Sequence, residues 1–582
     1  MLNKISEALT QHDYENALQL IEEYLKNQNP YTDELAILEG SVYLETCQYE
    51  IAYRCILEGI KLNPLNYELY FMLGNVYEAL NQLEKAYLCY ENAIFHCKEN
   101  EEDIAFLSSY FEEFKTSTNT FVPKVSIIIP VWNNIDLTAQ CISSIQEYCF
   151  DSCYEIIVVD NNSTDTTKEY LQSYKNITYH HNHENLGFLG GCNVGIKLCK
   201  KNHDIMLVHN DTIFTENALF TLRLELYENP NIGAVNSISN REVSEPIFDT
   251  AEKALTYARV HNIPNENSLN RKIFLSGYAF LLKRSAYEKT GDLDEQFFPG
   301  SYGILDYCTR LIQNDYELRE CKNSFILHYG EKTFSLLKSA VPATFSSYDT
   351  TNQKRYIEKW KINPKYSYGC RDELIGFMNH NDFFAPIHVL DIGCACGATL
   401  LEVKNQYPNA SIYGIDLDSA SVDICSHIAS VAQGNIETLE NPFSVKYDYI
   451  IMGDVLEHLI HPEDLLLKIK DWLSPNGMIL TSIPNILHFS AILPILMGNF
   501  DYADSGILDR THLRFFTKYN SINLLQNCGY KILDSVRTKT PSSAISPNVK
   551  NFIEQLTNIP YVAEKENFTT IQFIFKAQVD KK

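Results

Sequence analysis

Two aspartates in the middle of the chain stand where short apolar runs give out: Asp160 directly after Ile156–Val159, and Asp211 in the triplet His209-Asn210-Asp211 that follows Ile205–Val208. A third run, Val125–Ile129, leads into Pro130-Val131-Trp132. Continuous runs of this length and β-branched content fit parallel strands buried on both faces. Polar groups at the carboxyl ends of such strands are where α/β sheets bind ligands. Between them lies Glu184–Lys197, ENLGFLGGCNVGIK, whose glycines 187, 190, 191 and 195 would let backbone approach a ligand closely, with Asn185 and Asn193 supplying amides. Together these residues suit a nucleotide held on the rim of a parallel sheet. Proline cannot continue a central strand, so the first run is expected to stop at Pro130.

Helices must separate those strands, and Leu137–Tyr148 and Thr164–Tyr174 read as two of them, with Ile177–His180 a short strand. The chain has 582 residues, which favours several domains. A net charge of −26, from 48 basic and 74 acidic side chains, argues against nucleic acid as a partner but not against a nucleotide bridged by a metal ion. The 16 cysteines lack paired CxxC spacing, which predicts reduced thiols and a cytoplasmic location. Ala491–Met497 is too short to cross a bilayer.

Ahead of the first strand run, residues 1–117 repeat. Tyr70–Tyr77 carries aromatic, Leu-Gly, aromatic, with Ala86, Tyr90 and Ala93 following at helical spacing; a shift of about 34 residues gives Gly40, Tyr43, Ala52, Ile56 and Gly59. This resembles tetratricopeptide repeats. Two or three such units need the next domain as a cap. The arm reads either as a surface for a protein partner or as a structural or dimerising element. Residues 101–123 read as a linker helix and loop.

SIIIPVWNN, VVDNNSTD, NLGFLGGCNVG and the Asp211 triplet, in that order, resemble inverting glycosyltransferases of the GT-A fold, over residues 118–362. The resemblance implies that Pro130, Val131, Trp132, Asp160 and Asn162 line the base and ribose pocket. It places Asn185, Gly187, Asn193 and Asn210 around the donor nucleotide sugar, and has Asp211 and His328 (in SFILHYGEKTF) hold Mn²⁺ or Mg²⁺ against the diphosphate. The family's acidic pair after an aromatic is Gly303-Ile304 here. Asp306 is then the expected base, with Asp292 or Asp294 as fallback; alternatively Asp306 simply pairs with Arg310 four residues on.

A second α/β pattern starts near residue 366. His388–Leu390 enters Asp391-Ile392-Gly393-Cys394-Ala395-Cys396-Gly397, Ser411–Ile415 ends at Asp416-Leu417, Asn435-Ile436 follow a third strand, and Tyr449–Met452 ends at Gly453-Asp454. This resembles class I S-adenosylmethionine-dependent methyltransferases over residues 366–582. It implies that Asp391, Gly393, Cys394 and Gly397 form the glycine turn on the cofactor. Asp416 and Leu417 would meet its ribose, and Asn435, Ile436 and Asp454 would lie nearby. His458 and His512, the latter in ILDRTHLRFFT, are candidate bases or packed core histidines. The expectation is an all-α arm followed by two α/β, Rossmann-like domains. It would be a bifunctional enzyme that transfers a hexose to a glycan or protein acceptor, such as bacterial flagellin held by the arm, and then O-methylates sugar. Two alternatives remain: a degenerate transferase domain beside an active methyltransferase, or a scaffold without catalysis.

Overall fold

The computed structural model describes residues 1–98, 100–243, 250–265, 270–330, 342–378, 382–560 and 562–581. Part of the SFILHYGEKTF stretch, residues 331–334, lies outside them. The chain forms two compact units, Met1–Tyr356 and Ile357–Lys582.

The first unit opens with helices α1 (Leu2–Thr10), α2 (Tyr14–Lys26), α3 (Asp33–Glu45), α4 (Tyr49–Leu62), α5 (Tyr67–Ala79), α6 (Leu83–His96) and α7 (Glu101–Thr118). Starts are set by side chains that accept otherwise unpaired backbone N–H groups: Asp13 for Asn16, Thr32 for Leu35, Asn66 for Glu68 and Asn100 for Glu102. Helix pairs cross closely where a glycine permits it; a Cβ on Gly74 would lie 2.4 Å from the ring of Tyr90. Helix α7 is more than a linker, because Leu107, Phe111 and Phe114 enter the repeat core. The cap expected for so short a stack is the helix Ala218–Leu226 of the following sheet, whose Phe220 and Leu224 share that core. Its Arg223 is buried, paired with Glu91 of α6 and donating to the Pro123 carbonyl. Asn217 donates to the Tyr70 hydroxyl at 2.9 Å.

The strands that follow are β1 (Val125–Val131), β2 (Tyr154–Asp160), β3 (Thr178–His181), β4 (Asp204–Val208), β5 (Thr212–Ile213), β6 (Ile232–Ile238), β7 (Arg271–Lys272), β8 (Ala279–Leu282), β9 (Glu317–Phe325) and β10 (Leu327–His328). They form a mixed sheet of order β3-β2-β1-β4-β8-β6-β9-β7 and a small β10-β5 pair. Chain order reverses between β1 and β4, which leaves a crevice at their carboxyl ends. Strand β1 does not stop at Pro130. On the β4 side its pairing ends at Ile128, whereas Pro130 stays in register with Val159 of β2. The proline's missing donor therefore falls where no partner strand asks for it.

The glycine-rich stretch is also not a ligand-hugging loop. It is the helix Gly187–Leu198, and its glycines serve packing: a Cβ on Gly195 would sit 2.3 Å from Ile128 of β1, and one on Gly191 2.9 Å from Pro130. Only Gly187, with φ of +70° and wedged against Phe298 and the Pro299 carbonyl, needs a glycine backbone.

The second unit has β11 (His388–Ile392), β12 (Ser411–Asp416), β13 (Ser430–Gln433), β14 (Tyr447–Gly453), β15 (Leu473–Pro484), β16 (Tyr530–Lys539) and β17 (Thr570–Val579), ordered β13-β12-β11-β14-β15-β17-β16. All pairings are parallel except those of β17, which runs against both β15 and β16. Here the reversal lies between β11 and β14. The fold class expected from the sequence, helical arm then two α/β domains, is the one observed.

Two candidate active sites

In the first unit a cavity of about 600 Å³ opens at the carboxyl ends of β1 and β4. Pro130, Val131 and Trp132 form part of one wall, with Asn185 and Gly187 beside them. Beyond Val208 the chain turns through His209-Asn210-Asp211 into β5, and β5 pairs with β10 so that His328 lies against Thr212. This pairing brings His328 Nε2 to 3.2 Å from Asp211 Oδ1 and 3.4 Å from His209 Nδ1. Donor atoms from the three side chains all lie within 4.8 Å of one another. Burial, then the neighbouring His328, pushes His209 down to about 4, so its imidazole is neutral. Burial alone would raise Asp211, but the hydrogen bond from His328, with the two histidines close by, outweighs it and holds the carboxylate below its usual range. One carboxylate and two imidazoles are a donor set for a divalent ion such as Mn²⁺, and His328 Nδ1 is buried without a hydrogen-bond partner among the described residues.

Several expected contacts are placed elsewhere. Asp160 is off the cavity wall and fully buried; it accepts from Ser163 N, the Tyr179 hydroxyl and His181 Nδ1 at 2.8–2.9 Å. Its neighbour Asn161 is on the wall instead, held by Gly187 O and Asn182. Asn162 is exposed, at a φ of +63°. Asn193 is buried and clasps the loop at Leu293 and Glu295, because its helix turns that face inward. Asn210 reaches the cavity while donating to Thr138. Asp306 is fully buried on the helix Gly303–Gln313, accepting from Arg310 Nε at 3.0 Å, and does not reach the cavity. Neither fallback does: Asp292 accepts from Tyr287 and Asp294 caps Gln296. Among the described residues the carboxylates on the wall are Asp211 and Asp349. His209, Arg241 and Asp349 were missed by sequence reasoning; the signal for His209 was its place in the Asp211 triplet.

In the second unit a cavity of about 370 Å³ lies at the reversal between β11 and β14. Gly393 and Gly397 adopt φ of +80° and +90°, turning the backbone after β11. Asp416 lines the cavity and accepts from Ala395 N at 2.8 Å and Asp418 N at 2.9 Å. Asp391 lies beneath, pushed up to about 8 by burial and then by the Asp416 charge. Asp454 also lines the cavity, bonded to Ser482 and paired with Arg371 at 2.8 Å. Cys394 is off the wall: its thiol packs behind the turn, 2.5 Å from where a Cβ on Gly414 would sit. Leu417 is 70% exposed, Ile436 is core, and Asn435 caps its own turn by accepting from Glu437 N; none of the three lines this cavity. Glu457, His458, Asp509 and His512 also line this cavity. Glu457 was missed although it adjoins His458.

Comparison with known proteins agrees with this division. The family model described as Glycosyl transferase family 2 matches residues 126–291, a methyltransferase-domain model matches 366–535, and a tetratricopeptide-repeat model matches 55–87. Over 105 residues the chain is 31% identical to malonyl-[acyl-carrier protein] O-methyltransferase of Halalkalibacterium halodurans, covering 17% of this chain and 39% of that protein. It is 30% identical over 133 residues to poly(ribitol-phosphate) beta-glucosyltransferase of Bacillus spizizenii, covering 22% and 21%. It is 26% identical over 187 residues to an uncharacterized glycosyltransferase of Rickettsia typhi, covering 30% and 55%. The chain thus spans 21–55% of the lengths of these relatives. Among solved structures, a mannosyltransferase from Pyrobaculum calidifontis in complex with GDP-Man and Mn²⁺ is 17% identical with a TM-score of 0.29, covering 43% of this chain and 69% of that one. No described helix is long and apolar enough to cross a membrane. The chain therefore carries a tetratricopeptide repeat, a family-2 glycosyl transferase domain and a methyltransferase domain, in that order.

Proposed function

We propose a bifunctional glycan-modifying enzyme, with an arm over 1–117, an inverting glycosyltransferase over 118–362 and a sugar O-methyltransferase over 366–582. The observation that carries the transferase reading is the convergence of His209, Asp211 and His328 in one large cavity. These three would hold a divalent cation, which when bound neutralises charge on the departing nucleoside diphosphate. Pro130–Trp132, Asn161, Asn185 and Gly187 would orient the nucleotide. Asp349 would take the proton from the acceptor hydroxyl in place of Asp306. The new glycosidic C–O bond forms as the anomeric C–O bond to the diphosphate breaks.

In the second unit, Gly393, Ala395 and Asp416 would seat S-adenosylmethionine. When bound, that cofactor would supply an electrophilic methyl group on sulfur, the C–S electron pair staying on sulfur as the acceptor oxygen takes the methyl and its proton goes to water. Asp416→Ala should weaken S-adenosylhomocysteine binding about 10- to 100-fold, the worth of one charged hydrogen bond to a ribose hydroxyl, read by calorimetry. Cytoplasmic location, a protein acceptor such as flagellin on the arm, and dimerisation through it belong to the same proposal.

The direct test is release of nucleoside diphosphate from UDP-, GDP- and dTDP-sugars with Mn²⁺, beside calorimetry with S-adenosylhomocysteine. Activity in both arms supports the reading. Binding of S-adenosylhomocysteine with silence towards every donor favours a degenerate transferase domain, the rival that Gly303-Ile304 raises; silence in both favours a scaffold.

A further inference from the structure

The second cavity holds a side-chain cluster that binding a methyl donor does not require. Glu457 is 1% exposed, yet among the described residues both of its carboxyl oxygens lack a hydrogen-bond partner. Buried polar atoms are nearly always paired, so two orphans on one side chain call for a missing partner. His512 Nε2 stands 4.0 Å from Glu457 Oε1, and the His458 and His512 rings meet edge-on at 4.7 Å. Donor atoms of the three side chains all fall within 4.8 Å of one another.

The tautomers suit a ligand role. His512 Nδ1 lies 3.0 Å from the Ile507 carbonyl and His458 Nδ1 3.2 Å from the Thr511 carbonyl. A carbonyl only accepts, so each Nδ1 carries a proton, and in a neutral ring Nε2 is then the nitrogen whose lone pair is open to a ligand. A metal-ligating histidine is commonly oriented in this way through its other nitrogen. The loop itself is fixed beforehand. Leu513 N and Arg514 N both donate to the Glu457 carbonyl, and Asp509 accepts from Thr511 N and from the hydroxyls of Thr511 and Tyr366.

We infer that Glu457, His458 and His512 form a second divalent-cation site in this chain, on the wall of the methyl-donor cavity. Two imidazoles and one carboxylate suit Mn²⁺, Fe²⁺, Co²⁺ or Zn²⁺ better than Mg²⁺ or Ca²⁺. Three protein ligands leave coordination positions open, as sites that meet a substrate do. The ligand class those positions would accept is an oxygen-bearing acceptor, which rests on the methyl-transfer reading of the same cavity. On this assignment both histidines are ligands rather than bases.

The test uses the full chain carrying Asp211→Asn, which silences the cluster in the first unit. Calorimetric titration with MnCl₂ should show one Mn²⁺ bound per chain. Adding Glu457→Gln, which keeps the side-chain volume, should weaken that binding at least tenfold, and adding His458→Asn should do the same, with near-ultraviolet circular dichroism unchanged from the parent. No uptake by the parent, or Glu457→Gln and His458→Asn both within threefold of it, overturns the site. S-Adenosylhomocysteine binding is measured on the same parent. Mn²⁺ uptake without it supports the site and removes the methyl-transfer reading; its binding without Mn²⁺ uptake overturns the cation site alone.

Discussion

Asp211→Asn should abolish Mn²⁺-dependent binding of nucleoside diphosphates by the transferase cavity and lower turnover of any accepted sugar nucleotide by about 10²- to 10³-fold, the equivalent of about 3–4 kcal/mol. The two imidazoles beside it contribute no charge when neutral, and burial keeps His209 so at neutral pH. The carboxylate therefore supplies the only formal negative charge that the cluster offers a cation. Asparagine keeps the volume and one oxygen but not the charge. Calorimetry with GDP or UDP in the presence and absence of Mn²⁺ checks the result. The informative pattern is loss of the metal-dependent part alone, with any metal-independent affinity intact. Metal-independent turnover equal to that of the unaltered chain would mean that Asp211 and His328 are no more than a buried pair.

The two sheets were legible in the sequence because buried parallel strands announce themselves as unbroken apolar runs, and because ligand sites fall at their carboxyl ends. Asp211, Asp416 and Asp454 were found by that rule, and each does line a cavity. The rule could not tell which polar residue at a strand end turns outward. At the end of β2 it favoured Asp160 and Asn162, whereas the wall is lined by Asn161, with Asp160 holding the turn from beneath. The glycines of residues 187–195 misled for a related reason. A glycine may serve close approach to a ligand or to a neighbouring strand, and here Ile128 and Pro130 are what three-residue and four-residue spacing on a helix presents to Gly195 and Gly191. Residues that arrive from distant elements left no local trace. Asp349 comes from the helix Pro342–Trp360, far along the chain from Asp211. The orphaned oxygens of Glu457 are a property of packing, not of spacing.

Asp349→Asn should lower turnover of the accepted donor by about 10²- to 10⁴-fold while leaving Mn²⁺-dependent nucleoside diphosphate binding unchanged, the mark of a lost general base. Asp349 shares the cavity wall with Asp211, and its charge reaches Tyr302, whose hydroxyl is raised by burial and then by that carboxylate. Its position is not left to chance. Asn352, one turn further along the same helix and fully buried, donates to the carbonyls of Phe297, Phe298 and Ser301 at 2.9–3.2 Å. Tyr356 meets the Thr309 hydroxyl at 2.8 Å. Together they tie the helix to the loop of residues 297–301 and to the helix Gly303–Gln313, which gives the Asp349 carboxylate a fixed support beside the cavity. The rival acid makes the contrast usable. Asp306 is sealed against Arg310, so Asp306→Asn should instead cost about 3 kcal/mol of stability by leaving a charge unpaired, read as a lower denaturation midpoint. If Asp349→Asn keeps turnover within threefold and Asp306→Asn removes it in a chain that still folds, the base is Asp306 and the helix Gly303–Gln313 must unwind its first turn to present it.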